Sequence, residues 1–149
     1  MSPVVAASQA MVSPADLYIL DVTQFSKDFY RMGNGTWPLF TDERARIDVA
    51  VSVQNEVEVV VADGNGFSAF DTIIPAMRQQ GRKVWRIMKG AVIPPELVLV
   101  KDLRPNHAGH YVIAPATTMP LKKYLGALEE LGMDRNRVQL IVEGDSDAR

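Results

Sequence analysis

The sequence predicts an α+β fold made mostly of antiparallel strands. Short runs rich in Val, Ile, Leu, Phe and Tyr follow one another along most of the 149 residues, separated by turns that contain Gly, Pro and Asn. Helical patterns are few and do not alternate with those runs, so the crossover helices that a parallel sheet requires are missing. The composition agrees, since 47% hydrophobic and 23% charged residues describe a chain that buries a core without staples.

Leu17 to Val22 is a short β-type run after the Ser13-Pro14 break. Phe29-Tyr30-Arg31-Met32 then leads into Gly33-Asn34-Gly35-Thr36-Trp37-Pro38, a loop by its turn residues. Asp42 to Arg46 is charged and reads equally as a helical turn or a solvated loop. Ile47, Val49, Val51 and Val53 alternate with polar or small residues, as in a half-buried strand. Val57 to Val61 is a second strand, closed by Asp63-Gly64-Asn65-Gly66. Asp71 is suited to cap a helix through Thr72 to Gln80, with Gly81 as its stop. Val84 to Met88 and Leu97 to Lys101 read as strands around the corner Gly90 to Pro95, where two prolines exclude regular pairing. His110 to Ala114 makes another strand after Gly109. Leu121, Tyr124, Leu125, Leu128 and Leu131 share one helical face, with Thr118 as N-cap and Gly132 as stop. Val138 to Val142 reads as a last strand. Residues 1–14 and 143–149 read as loose tails of a single domain over 1–149.

Several function classes are disfavoured. The formal net charge of −2 gives no whole-chain footprint for nucleic acid. Cysteine is absent, which excludes disulfides, thiolate metal sites and a Cys nucleophile. Two histidines cannot build a metal cluster by themselves. The first dozen residues are apolar but carry no Lys or Arg, unlike a secretory signal, and no run approaches the roughly 18 apolar residues of a membrane span.

Two segments concentrate polar chemistry in apolar frames. Gly66-Phe67-Ser68-Ala69-Phe70-Asp71 follows a Gly-rich turn, and Gly109-His110-Tyr111-Val112-Ile113-Ala114-Pro115-Ala116 opens a strand. Glycines beside polar groups at element ends let a ligand approach the backbone. Ser68 suits a ribose hydroxyl, against the plainer reading of a helix cap near Asp71. Phe67 and Phe70 either face the core or stack on a flat ring. Asp71 is explained by capping and Tyr111, on the alternate face, by the core. His107 lies in a polar turn and carries no signal. Gly64-Asn65-Gly66 lacks the Lys-Ser/Thr ending of a P-loop. Trp37 and Trp85 read as one loop and one core tryptophan.

The blocks Phe67-Ser68-Ala69-Phe70-Asp71, Ile93-Pro94-Pro95-Glu96-Leu97 with Val100-Lys101-Asp102, His110-Tyr111-Val112-Ile113-Ala114-Pro115-Ala116 and Met119-Pro120-Leu121 resemble, in order and spacing, the type-six-exported toxin family. These are small ADP-ribosyltransferase-like effectors of bacterial type VI secretion, with bacterial and fungal relatives. The resemblance covers roughly Phe29 to Leu131. It implies an ADP-ribosyltransferase-like fold, with two small, mostly antiparallel sheets around an NAD-sized cleft. It also implies NAD as the cofactor consumed, action in the cytoplasm of a target cell, and a cognate immunity protein in the producer. By the same resemblance, Ser68 and His110 take catalytic roles, and Tyr30-Arg31 matches the aromatic-Arg pair that opens these domains. Arg31, with Tyr30, Phe67 and Phe70, is then expected at the NAD site, its fork on phosphate or ribose oxygens. Two departures stand out. Phe67 occupies a position where the founding toxins carry Thr, and Glu43, Glu56, Glu58 and Glu96 offer no single counterpart to the usual catalytic Glu. The alternative is a catalytically silent binding module that keeps the fold and acts through a protein partner.

Overall fold

The computed structural model describes residues 16–34, 38 and 40–141, so the readings on 1–14, Gly35 to Trp37 and 142–149 lie outside it. The elements in chain order are β1 (Leu17–Asp21), β2 (Phe29–Gly33), α1 (Asp42–Asp48), β3 (Val51–Gln54), β4 (Val57–Val60) and β5 (Phe67–Phe70). A 3-10 turn follows at Pro75–Arg78, then β6 (Lys83–Ile87), β7 (Leu97–Asp102), β8 (His110–Pro115), β9 (Met119–Pro120), α2 (Leu121–Gly132) and β10 (Val138–Leu140). Seven strands form one sheet in the order β1-β7-β8-β5-β2-β6-β10, and β3-β4-β9 form a second. The pairings are antiparallel in both, which makes the fold α+β as the sequence predicts.

One face of the large sheet carries the core. Phe29, Phe67, Ile87, Leu99 and Ile113 are fully buried there, and the helices and the small sheet close over them through Ala45, Val60, Tyr124 and Leu128. The Tyr124 hydroxyl donates to the Ile113 carbonyl at 2.6 Å, so the one polar group of that ring is satisfied inside the core. Burial pushes the Tyr124 hydroxyl pKa well up, which keeps it neutral. Gly66 leads into β5 so close to β8 that a Cβ there would lie 2.1 Å from the Ile113 oxygen. Only glycine fits that approach.

Three local expectations are corrected. Ile47 is not in a strand but in α1, 48% exposed. The Thr41 hydroxyl caps this helix by accepting from the Arg44 N–H, and Asp42 and Glu43 stand at its positive end. No helix spans Thr72 to Gln80. Ile74 precedes Pro75 and is held extended at ψ 161, leaving only the 3-10 turn beyond it. Thr118 does not cap α2 either. Its hydroxyl accepts from the Ala62 N–H at 3.1 Å, because Met119–Pro120 is taken into the small sheet beside β4.

Candidate active site on the second face of the large sheet

Strand alternation sorts the candidate residues onto two faces. Phe29, Arg31, Phe67, Ala69 and Tyr111 point to the core. Tyr30, Ser68, Phe70, Asp102 and His110 share the other face. Register brings four of them into one row, with Ser68 two places along β5 opposite Val112: Phe70 pairs with His110 across β5 and β8, and Tyr30 pairs with Phe70 across β2 and β5. Asp102 stands opposite His110, one place beyond the Lys101–Tyr111 pair of β7 and β8.

On this face the side chains of three strands join in a relay. The Ser68 Oγ lies 2.9 Å from His110 Nε2, and His110 Nδ1 lies 2.7 Å from Asp102 Oδ2. The same carboxylate accepts from the Arg104 backbone N–H at 3.0 Å and from the Arg104 guanidinium at 2.7–3.2 Å. The Asp102 side chain has no exposed area, whereas His110 keeps 14% and Arg104 29%. Burial alone opposes charge on Asp102, but the donors of Arg104 and His110 hold its carboxyl well below the usual carboxylate range. An ionised carboxylate only accepts, so His110 Nδ1 carries the proton. In the neutral imidazole, Nε2 then accepts from the Ser68 hydroxyl. A buried anion, an oriented imidazole and a hydroxyl in line make a proton-transfer unit.

Tyr30 and Phe70 are half-buried beside this relay, and the Phe70 ring centroid lies 5.1 Å from that of His110. Arg31 and Phe67 are placed differently from the expectation. Phe67 is fully buried, packed against Phe40 and Tyr124 at ring separations of 5.4 and 5.9 Å. Arg31 is 7% exposed. Its guanidinium donates to the Pro38 carbonyl at 2.8 Å and the Ser68 carbonyl at 2.6 Å and lies over the Phe40 and Phe67 rings. Burial lowers its pKa to about 10, which leaves it charged at neutral pH. Arg31 therefore ties the backbone of Ser68 to the loop before α1, from the face opposite to the Ser68 hydroxyl.

Asp71 and Tyr111 leave the row as well. The Asp71 carboxylate receives Lys27 Nζ at 3.0 Å and faces the Tyr111 hydroxyl at 3.4 Å, while the Tyr111 ring is buried against Phe29. His107 Nδ1 bonds the Pro105 carbonyl at 2.9 Å, in a turn whose ring is 6.4 Å from His110. The four candidate glutamates stand on other elements than the relay or at the far end of β7. Glu43 is on α1, Glu56 and Glu58 are on the β3–β4 hairpin with Glu58 tied to Arg46, and Glu96 precedes β7 at the end opposite Asp102. The acid that does stand at the site, Asp102, has only a weak sequence signal. It shares parity with Val98 and Val100 and is followed two residues on by Arg104.

A family model described as Tse2 ADP-ribosyltransferase toxin matches residues 27–140. That span runs from just before β2 through β10 and contains Arg31, Ser68, Asp102 and His110. Among curated proteins none matches the chain.

Proposed function

The chain belongs to the Tse2 ADP-ribosyltransferase toxin family, and from that premise we propose that it uses NAD, through the Ser68–His110–Asp102 relay, to modify an acceptor in the cytoplasm of a target cell. The single observation that carries the reading is the relay itself, three side chains from three strands aligned within hydrogen-bond distance on one sheet face. The surroundings suit a dinucleotide. Tyr30 and Phe70 offer adjacent rings to a flat base, and Ser68 with His110 offers a hydroxyl and an imidazole to a ribose. NAD supplies an activated nicotinamide–ribose bond, whose cleavage passes through an oxocarbenium-like centre.

The protein's own residues have separable tasks in this proposal. Asp102 fixes the ring plane and tautomer of His110 and balances the charge that the imidazole acquires. Nε2 takes the proton of the incoming acceptor's hydroxyl as that oxygen bonds to the ribose carbon, and the nicotinamide–ribose bond breaks with nicotinamide as the leaving group. The Ser68 hydroxyl donates to Nε2 and so turns its lone pairs to the ligand side. Arg31 holds the Ser68 carbonyl and thereby the position of the hydroxyl along β5. A toxin of this activity also requires a neutralising immunity protein in its producer, and a protein seated over Ser68 and His110 would meet that need.

The test incubates wild type and Ser68→Ala with NAD labelled on the adenylate half and a cell lysate. Transfer or release of label that vanishes in Ser68→Ala, with an unchanged melting temperature, is the expected result. A protein that stops cell growth yet turns over no NAD in any fraction refutes the proposal and favours the silent binding module.

A further inference from the structure

The relay ends on an oxygen that keeps its lone pairs. Asp102 fixes Nδ1 as the protonated nitrogen of His110, so Nε2 accepts, and the Ser68 hydroxyl donates to it over 2.9 Å. Both lone pairs of Oγ then point away from the imidazole. A hydroxyl, the base that can take its proton, and a third group that orients the base make an activated nucleophile. Such a unit is recognised by geometry and not by fold or chain order. Other hydroxyls of the chain are placed differently. Ser26 Oγ donates at 2.8 Å to the Asp21 carboxylate, and a carboxylate is a weaker base than an imidazole. The Tyr111 hydroxyl meets the Asp71 carboxylate, and the Tyr124 hydroxyl is spent on the Ile113 carbonyl in the core.

Ser68 is also the member of the relay that a ligand meets. The Asp102 side chain has no exposed area, and its oxygens are committed to Arg104 and His110. His110 keeps 14% of its side chain exposed, with one ring nitrogen held by Asp102 and the other by Ser68. Ser68 is half-buried on this face. Opposite it on β8 stands Val112, buried in a cluster with Val98, Val100 and Ala114. That apolar flank leaves little room for water to compete with Oγ for an electrophile.

We propose that Ser68 is a modification site of the protein itself, whose Oγ takes the ADP-ribosyl group of NAD when no outside acceptor is in place. Oγ bonds to the ribose carbon that carries nicotinamide, the carbon–nitrogen bond breaks, and nicotinamide leaves with the electron pair of that bond. The Ser68 proton passes to His110 Nε2 and from there to solvent, while Asp102 balances the transient imidazolium. The inference rests on the function proposed above, because it needs a ribose at Ser68. It adds the protein's own serine to the hydroxyl acceptors of that reaction.

The experiment incubates the whole chain with NAD labelled on the adenylate half, without lysate, and maps the label by peptide mass spectrometry. Trypsin leaves Ser68 in the peptide 47–78, whose other aliphatic hydroxyls are Ser52 and Thr72, and fragment ions tell the three apart. The expected result is an ADP-ribosyl group on Ser68. A second arm reads the nucleophile with no NAD present. An aryl sulfonyl fluoride is expected to label Ser68 in wild type. In Asp102→Asn, at a temperature where that variant is folded, labelling is expected to slow about a hundredfold, because the base has lost its orientation. A serine that is only exposed would label alike in both. Turnover of NAD with lysate but no adduct on Ser68 overturns the inference and leaves the proposed function standing. Sulfonyl fluoride labelling that misses Ser68, or is indifferent to Asp102→Asn, overturns the inference whatever NAD does. No turnover of NAD in any fraction, with or without lysate, removes the proposed function and the inference with it.

Discussion

Replacing Asp102 with Asn tests the relay with the smallest change of shape. The native carboxylate serves His110 Nδ1 through one oxygen and Arg104 through both. An amide has one accepting oxygen. Turned towards His110, it presents its NH2 to the Arg104 donors. Turned towards Arg104, it presents NH2 to Nδ1, and the imidazole must adopt the other tautomer, with Nε2–H aimed at the Ser68 oxygen. Removing one partner of a buried ion pair costs about 3–5 kcal/mol, and the low end, about 3 kcal/mol, applies here because a partly exposed Arg104 can turn to water. For a domain of this size that lowers the melting temperature by about 6–12 °C. Loss of an oriented base lowers the rate by about 10²–10⁴, at a temperature where the variant remains folded. Thermal melting and release of label from NAD are the two assays. A variant that melts lower but turns over NAD at the wild-type rate refutes the relay as a catalytic device and leaves Asp102 as a structural ion pair. An unchanged melting temperature refutes the hydrogen bonding of the carboxylate itself.

The remaining predictions concern the frame around that site. Arg31→Ala deprives the Pro38 and Ser68 carbonyls of a donor inside the core, at about 1–3 kcal/mol for each buried unsatisfied group, so urea denaturation should show a loss of about 2–6 kcal/mol. Arg31→Lys should recover less than half of it, since an ammonium lacks the planar fork that reaches both carbonyls. Because the Asp102 carboxyl is held below its ordinary range, its stabilisation is complete above the unfolded carboxylate pKa, about 4, and is lost as pH falls through the folded value. Acid melts should therefore show the gap in melting temperature between wild type and Asp102→Asn narrowing below about pH 4. Gly66→Ala places a methyl group against the Ile113 carbonyl and should destabilise by about 3 kcal/mol or more, measured by the same denaturation. A stable Gly66→Ala protein would mean that β5 and β8 can move apart.

Much of the architecture is legible in the residues because its causes are local. The apolar runs of β7 and β8 pair in register from Leu97 with Pro115 to Lys101 with Tyr111, and their length and β-branched content mark them as strands in the sequence. The face of α2 is legible from the spacing of Leu121, Tyr124, Leu125, Leu128 and Leu131, of which Leu125 is half-buried and the others are buried. Where a local signal failed, a competing contact had taken the residue. Thr118 looks like a cap and serves the Ala62 N–H just past β4, while Asp71 looks like a cap and serves Lys27.

The site divides the same way. Ser68 and His110 stand out in the sequence as polar residues in apolar strands, and the resemblance of their blocks assigns them to one family. Strand alternation alone also separates Phe67 from Ser68 and His110 from Tyr111. The sequence by itself therefore determined most of the strands, the helix face and two members of the relay. Only the tertiary structure decided that Asp102 is the third and that Arg31 and Phe67 belong to the core. Alternation fixes which residues share a face, but not which strands become neighbours, in what register, or which face is covered. Ser68 and His110 are 42 residues apart, and the energy that joins them comes from burying the whole opposite face of the sheet.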